Sequence, residues 1–187
     1  MSDAPLMLGV SGARGIVGKT MTPEVARQFA ACWGGHLVEV SEHRPVVCLG
    51  RDSRPSGGDL LTAAAEGLAR AGCKVVDLGI VATPTVGVMI NAMSAAGGVV
   101  ITASHNPTPW NGLKLLDHHG MAPQPSLAAE IIAAFHAGDR PQAMEPGEVV
   151  VESRGTDTHL AKVLGQIDPV AFLARPYRVV LDSVNGA

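Results

Sequence analysis

Aromatic side chains make up only 3% of this 187-residue sequence and charged ones only 17%. The apolar share, 47%, is therefore carried mostly by Ala, Val and Leu, alongside 22 Gly and 13 Pro. That composition suits strands packed between helices and excludes a disordered or collagen-like chain. The net charge is only −3, with Lys and Arg scattered along the chain. Without a basic stripe nothing neutralises a nucleic-acid backbone, so DNA and RNA are excluded as partners. No run of about 18 apolar residues occurs, and Met1 to Pro5 is not the charged-then-apolar opening of a secretion signal. No membrane partner and a cytoplasmic location are the expectation. Cysteine is sparse and odd in number. Cys32, Cys48 and Cys73 each sit in an apolar stretch, without the spacing of a zinc site or redox pair, and read as buried thiols.

What is present is an alternation of strands and helices. Thr22-Pro23-Glu24 is a helix start, with a capping hydroxyl, proline in the first turn and an acid at the positive end of the dipole. Val25, Phe29, Cys32, Trp33 and Leu37 follow at helical spacing, predicting a helix over about 23–40. Val46–Gly50 is a strand-like run, followed by the loop Arg51–Pro55 and a helix through Leu61, Ala64, Ala65 and Leu68 to Gly72. Cys73–Leu78 is a second such strand, Thr83-Pro84-Thr85 opens another helix, and Gly98–Thr102 is a third strand. Gly112–Leu116 returns as a strand, and Pro125-Ser126 opens a helix containing Leu127, Ile131 and Phe135. The pattern predicts an α/β fold with right-handed crossovers, a mixed but mostly parallel sheet and helices on both faces.

A chain of this length fits one domain with a remnant, domains usually running to about 100–200 residues. The stretch 138–155 is richer in Pro, Gly and charge and reads as the boundary, giving a first domain over 1–145 and a linker with the opening of a second over 146–187. Within the latter, a helix is expected near 157–167 and a strand near 178–182. A lone strand cannot bury itself, so the sequence reads as part of a longer protein.

Ligands of such sheets bind beyond the carboxyl ends of the strands, which directs attention to Ala103–Asn111. Thr102-Ala103-Ser104-His105-Asn106-Pro107 brings a hydroxyl, an imidazole and an amide to a strand end, and Pro107 fixes the turn after them. Alone, that segment reads as an ordinary polar turn. Asn111-Gly112-Leu113-Lys114 changes the balance, because a tight turn there returns a lysine towards the same loop. A cation beside a phosphate lowers its charge cost, and an amine near a sugar hydroxyl can exchange its proton.

Together these two segments resemble the active-serine signature of the α-D-phosphohexomutase superfamily, which comprises phosphoglucomutases, phosphomannomutases and phosphoglucosamine mutases. The resemblance implies that Ser104 is phosphorylated and passes its phosphoryl group to a hexose phosphate, forming a hexose bisphosphate, and takes the other phosphate back. It implies Lys114 as general acid/base and His105 as a group orienting the phosphate. Gly9–Gly15 resembles the family's N-terminal loop, with Arg14 at its active-site arginine. Ser11, Asn106 and Asn111 are implied contacts of substrate or phosphate. Leu49–Arg54 and Thr83-Pro84 extend the likeness over nearly all of the first domain. Arg51 and Arg54 read as structural, pairing with Asp52 or capping carbonyls. Val179–Gly186 resembles the start of the second domain.

The family's Mg2+ is held by the serine phosphate, here on Ser104, together with an aspartate loop of the second domain, and no Asp-x-Asp occurs in this sequence. The implied partners are a hexose phosphate, a hexose bisphosphate and the remaining domains of the same polypeptide. The chain alone is expected to lack turnover. The preferred sugar is left open.

Two other readings compete. Ala13–Thr20 satisfies a relaxed phosphate-loop pattern of nucleotide-binding proteins. Placing Lys19 and Thr20 in the first helical turn, however, would bury Pro23 inside that helix and break it. A non-catalytic sugar-phosphate-binding module is the second alternative. Trp110 beside the loop reads as a contact for a neighbouring domain more than a sugar stack. His118-His119 lacks further ligands nearby and is not read as a metal site.

Overall fold

The computed structural model describes residues 4–173, 176–184 and 186. Seven strands form one sheet in the order β1-β2-β6-β5-β3-β4-β7, comprising β1 (Met7–Gly9), β2 (Gly12–Ile16), β3 (Val46–Arg51), β4 (Lys74–Ile80), β5 (Gly97–Ile101), β6 (Trp110–Leu116) and β7 (Val149–Val151). Five described helices accompany them up to residue 164, namely α1 (Pro23–Val40), α2 (Gly57–Arg70), α3 (Thr83–Ala92), α4 (Pro125–Ala137) and α5 (Gly155–Leu164), followed by the short α6 (Pro169–Leu173). β3 pairs in parallel with β4 and β5, and β7 in parallel with β4. β6 runs against β5, β2 against β6 and β1 against β2. The sheet is thus mixed, with β2, β3, β4, β5 and β7 pointing the same way.

The central strands β3 and β5 read as near-continuous apolar runs because both faces of the sheet are covered there. Side chains alternate between two cores. Val47, Leu49, Val75, Val99 and Ile101 face α1, α2 and α4 on one side. Cys48, Val76, Val100 and Leu116 face α3 on the other. The edge-to-face contact of Phe29 with Phe135, centroids 5.6 Å apart, ties α1 to α4. α1 begins as expected, the Thr22 hydroxyl accepting from the Val25 N–H and Pro23 opening the first turn.

The structure differs from the sequence reading in four places. Gly9–Gly15 is a hairpin rather than a loop, with Val10 and Ser11 as the turn between β1 and β2. Asn111 and Gly112 lie inside β6 rather than in a turn. Residue 145 is no break in packing. Segment 138–148 passes over α1, where the Cys32 thiol donates to the Asp139 carbonyl, and across the end of α2, where the Ala143 N–H donates to the Arg70 carbonyl and the Gly147 N–H to that of Ala69, and it delivers β7 to the edge of β4. α5 then docks on α3, the Thr85 hydroxyl and His159 Nδ1 lying 2.9 Å apart. Pro and Gly here serve a chain passing round a sheet edge. Finally, 178–182 forms no strand, and Val179, Val180 and Leu181 are exposed, since no described strand edge is beside them.

Candidate active site

Because β3 and β5 are parallel neighbours, their carboxyl ends lie side by side, and the loops leaving them meet. The Asp52 N–H donates to the Ile101 carbonyl at this junction. Ala103–Pro109 then swings out and returns as β6. Ser104 is exposed at the tip, with φ at 56°, a left-handed conformation that non-glycine residues rarely adopt. Holding it costs about 1–3 kcal/mol, so surrounding bonds must over-determine it.

Those bonds come from Asp52, Arg54 and Thr102. The Ser104 N–H donates to Thr102 Oγ1 at 3.0 Å, and the Thr102 hydroxyl donates to Asp52 Oδ2 at 2.7 Å. Arg54 donates from Nε to the same oxygen at 3.1 Å, from Nη2 to the carbonyls of Ser104 (2.9 Å) and Asn106 (2.7 Å), and from Nη1 to those of Pro107 and Trp110 (both 3.1 Å). Charge-assisted bonds of this kind contribute about 1.5–3 kcal/mol each, so two of them suffice to offset the strain at Ser104. The structural reading of Arg54 from the sequence is what is observed. Arg51 instead donates to the Asp52 carbonyl.

A cavity of about 470 Å³ opens beside the loop, and Ser11, Arg14, Thr83, Thr102, Ser104 and Lys114 are among its lining residues. Strand register explains the two cations. Arg14 lies opposite Gly112 on β6, and Ala13 opposite Leu113. Lys114 therefore stands across from Gly12 and on the same face as Arg14. Gly112 permits this approach, since a Cβ there would strike the Ala13 carbonyl oxygen. Thr83 is the first residue of α3, so the positive end of that helix dipole borders the cavity as well. No Asp or Glu lines it among the described residues. The result is a pocket for an anion with a hydroxyl in it.

His105 Nδ1 lies 3.3 Å from Ser104 Oγ, and Arg14 Nη1 donates to Asn106 Oδ1 at 3.3 Å. The structure thus gathers Ser104, Lys114, Arg14, His105, Ser11 and Asn106 around one loop. Asn111 does not join them. It is fully buried, donating to Ser56 Oγ and accepting from the Gly112 N–H, and cannot reach a substrate from there. The resemblance implied a contact with substrate or phosphate, but the side chain instead pins β6 to the start of α2. The signal for Asp52 and Arg54 lay in Asp-Ser-Arg directly after a strand end.

Magnesium takes about six oxygens. Asp52, the carboxylate tied to this loop, has both oxygens engaged by Arg54 and Thr102. Among the described residues no group of three or more His, Cys, Asp or Glu side chains is arranged to hold a metal ion. They do not fit a complete magnesium site. His118 and His119 lie within a turn in which Asp117 Oδ1 accepts from the His119 and Met121 N–H groups. Lys19 and Thr20 precede α1, and Thr20 Oγ1 accepts from the Ile16 N–H and donates to the Ala4 carbonyl, which removes the phosphate-loop reading. No described helix is long and apolar enough to cross a membrane.

Residues 5–142 match the family described as phosphoglucomutase/phosphomannomutase, alpha/beta/alpha domain I. A phosphoglucomutase/phosphomannomutase of Thermococcus kodakarensis is 37% identical over 97% of this chain and 40% of its own length. A phosphoglucosamine mutase of Geobacillus kaustophilus is 34% identical over 96% of the chain and 40% of its own length. The crystal structure of a phosphoglucomutase/phosphomannomutase family protein from Burkholderia thailandensis superposes with a TM-score of 0.72 at 26% identity, covering 86% of this chain and 37% of that one. The chain spans about two fifths of the length of the curated relatives it matches.

Proposed function

Because the chain belongs to the phosphoglucomutase/phosphomannomutase family, we propose that the polypeptide carrying it is a phosphohexomutase, an isomerase moving a phosphoryl group between the 1- and 6-positions of a hexose phosphate. The observation that carries this reading is the exposed Ser104 hydroxyl in a cavity whose charged lining among the described residues is Arg14 and Lys114, without a carboxylate.

Phosphoryl transfer needs an in-line acceptor and neutralised oxygens more than covalent assistance. Phosphorylated Ser104 gives its phosphoryl group to a free sugar hydroxyl. The Ser104 O–P bond breaks, a sugar O–P bond forms, and the proton of the sugar hydroxyl passes by way of Lys114 to the Ser104 oxygen left behind. The bisphosphate turns over and returns its other phosphate to Ser104. Arg14, steadied by Asn106, offsets charge on the phosphate oxygens, and His105 orients Ser104 Oγ. Ser11, in the β1–β2 turn, is a further phosphate contact. Magnesium belongs to this proposal only as an ion completed by oxygens outside the described residues. The second domain is taken to begin beyond α5, since β7 and α5 pack with the first. A cytoplasmic location and remaining domains of the same polypeptide as partners complete the proposal.

The test is conversion of glucose 1-phosphate to the 6-phosphate by the full-length polypeptide with a trace of hexose 1,6-bisphosphate, with phosphate mapped by mass spectrometry. Phosphate on Ser104 and turnover abolished in Ser104→Ala are expected. Undiminished turnover in that variant would sink the serine assignment.

A further inference from the structure

Both backbone polar groups of Ser104 lead to one carboxylate. Its N–H reaches Asp52 through the Thr102 hydroxyl, and its carbonyl reaches Asp52 through the Arg54 guanidinium. Every N–H of that guanidinium has an acceptor, Asp52 on one side and the carbonyls of Ser104, Asn106, Pro107 and Trp110 on the other. The Arg54 side chain is only 13% exposed and is not among the residues lining the cavity. It therefore sits behind the serine loop, out of reach of a ligand in front of it. The loop has few other internal ties, notably the Asn106 N–H to the Ala103 carbonyl and the Trp110 N–H to the Pro107 carbonyl.

We propose that Arg54, oriented by Asp52, is the positioning residue of Ser104. By gathering the loop carbonyls it keeps Ser104 in its left-handed conformation and its hydroxyl in the cavity, without touching substrate. The proposal rests on the reading of Ser104 as the phosphoryl carrier. Lysine cannot replace arginine in this role, because a compact ammonium with three donors cannot span four carbonyls and a carboxylate at once.

The experiment uses the full-length polypeptide with Arg54→Lys, and with Thr102→Val and Thr102→Ser as a pair that removes or keeps the hydroxyl. A misplaced nucleophile loses rate, so kcat per folded molecule should fall about 100-fold in Arg54→Lys while KM for glucose 1-phosphate moves less than about threefold. Thr102→Val should lose kcat likewise and Thr102→Ser should recover most of it. Hydrogen exchange supplies a readout independent of activity. The amides of Ser104, Asn106 and Trp110 should exchange at least about tenfold faster in Arg54→Lys, with those of β3 and β5 unchanged. That exchange pattern in a protein whose wild type shows neither turnover nor phosphoserine would support the clamp and sink only the carrier reading. Loss of folded protein with kcat per folded molecule and loop exchange both unchanged would overturn the proposal, leaving Arg54 a stability residue only.

Discussion

Cys48 sits in the core between the sheet and α3, fully buried, and burial pushes its thiol from 9.0 up to about 12. Cys73, buried beneath α1, is pushed up to about 12 by the same cause, and Cys32 to about 11 by burial and then by the charge of Asp139. A folded-state value raised above the unfolded one leaves stability intact below pH 9 and removes it as pH climbs from 9 towards 12. Each pH unit in that window costs about 1.4 kcal/mol per thiol. Cys48 and Cys73 together therefore remove about 3 kcal/mol by pH 10, a large part of the roughly 5–15 kcal/mol that holds a domain folded. The perturbation is Cys48→Ala, read by urea unfolding at pH 8 and pH 10. At pH 8 the variant should be less stable by about 1–2 kcal/mol, the packing lost with the sulfur. At pH 10 the gap should have narrowed by about 1.4 kcal/mol, because only the wild type still carries that thiol. Titration of Lys and Tyr side chains is common to both proteins and cancels in the difference. A gap that stays constant between the two pH values would refute the claim that the buried thiol resists ionisation.

Lys114→Met should lower turnover of the full-length polypeptide about 100-fold or more, as expected for a positioned acid/base group, with a melting temperature close to wild type; a loss below about threefold would make Lys114 a bystander. The 187-residue chain alone should bind magnesium and glucose 1-phosphate more weakly than about 100 μM in calorimetric titration, because among the described residues its cavity offers no carboxylate to the metal and only one wall to the sugar; tighter binding of either would show the site complete within this chain. Gly67→Ala should destabilise by about 1–3 kcal/mol in urea, although alanine favours helices, because a Cβ there would strike the Arg27 carbonyl where α2 crosses α1. An unchanged or raised midpoint would show that the two helices can part freely.

What could be read in the sequence followed from how completely each element is buried. The central strands announce themselves as apolar runs because helices cover both faces, and α1 because its cap and Pro23 sit in one place. β1 and β2 were not legible. They are short and Gly-rich, and their pairing depends on β6, nearly 100 residues away. β7 is three valines inside a stretch whose Pro, Gly and charge indicate a linker, and its strand character exists only through the open edge of β4. The serine loop was legible as a cluster of reactive groups at a strand end. Asn111 was misread because its polarity is satisfied internally, by a Ser56 brought close only by tertiary packing.

The register of β6 links fold to chemistry. Leu113 and Leu115 are buried in the core under α1, α2 and α4, so the pleat turns Lys114 to the opposite face. On that face β2 contributes Arg14, and the loop that left β5 returns Ser104 above them. A slip of one residue would bury the lysine among leucines and expose two leucines to the cavity, a double penalty that the hydrophobic effect makes prohibitive. A parallel crossover after β5 would have carried the chain away over one face of the sheet. The antiparallel return keeps the hydroxyl and the lysine within one short segment, so the two apolar contacts that specify the strand also specify where the amine stands relative to the serine.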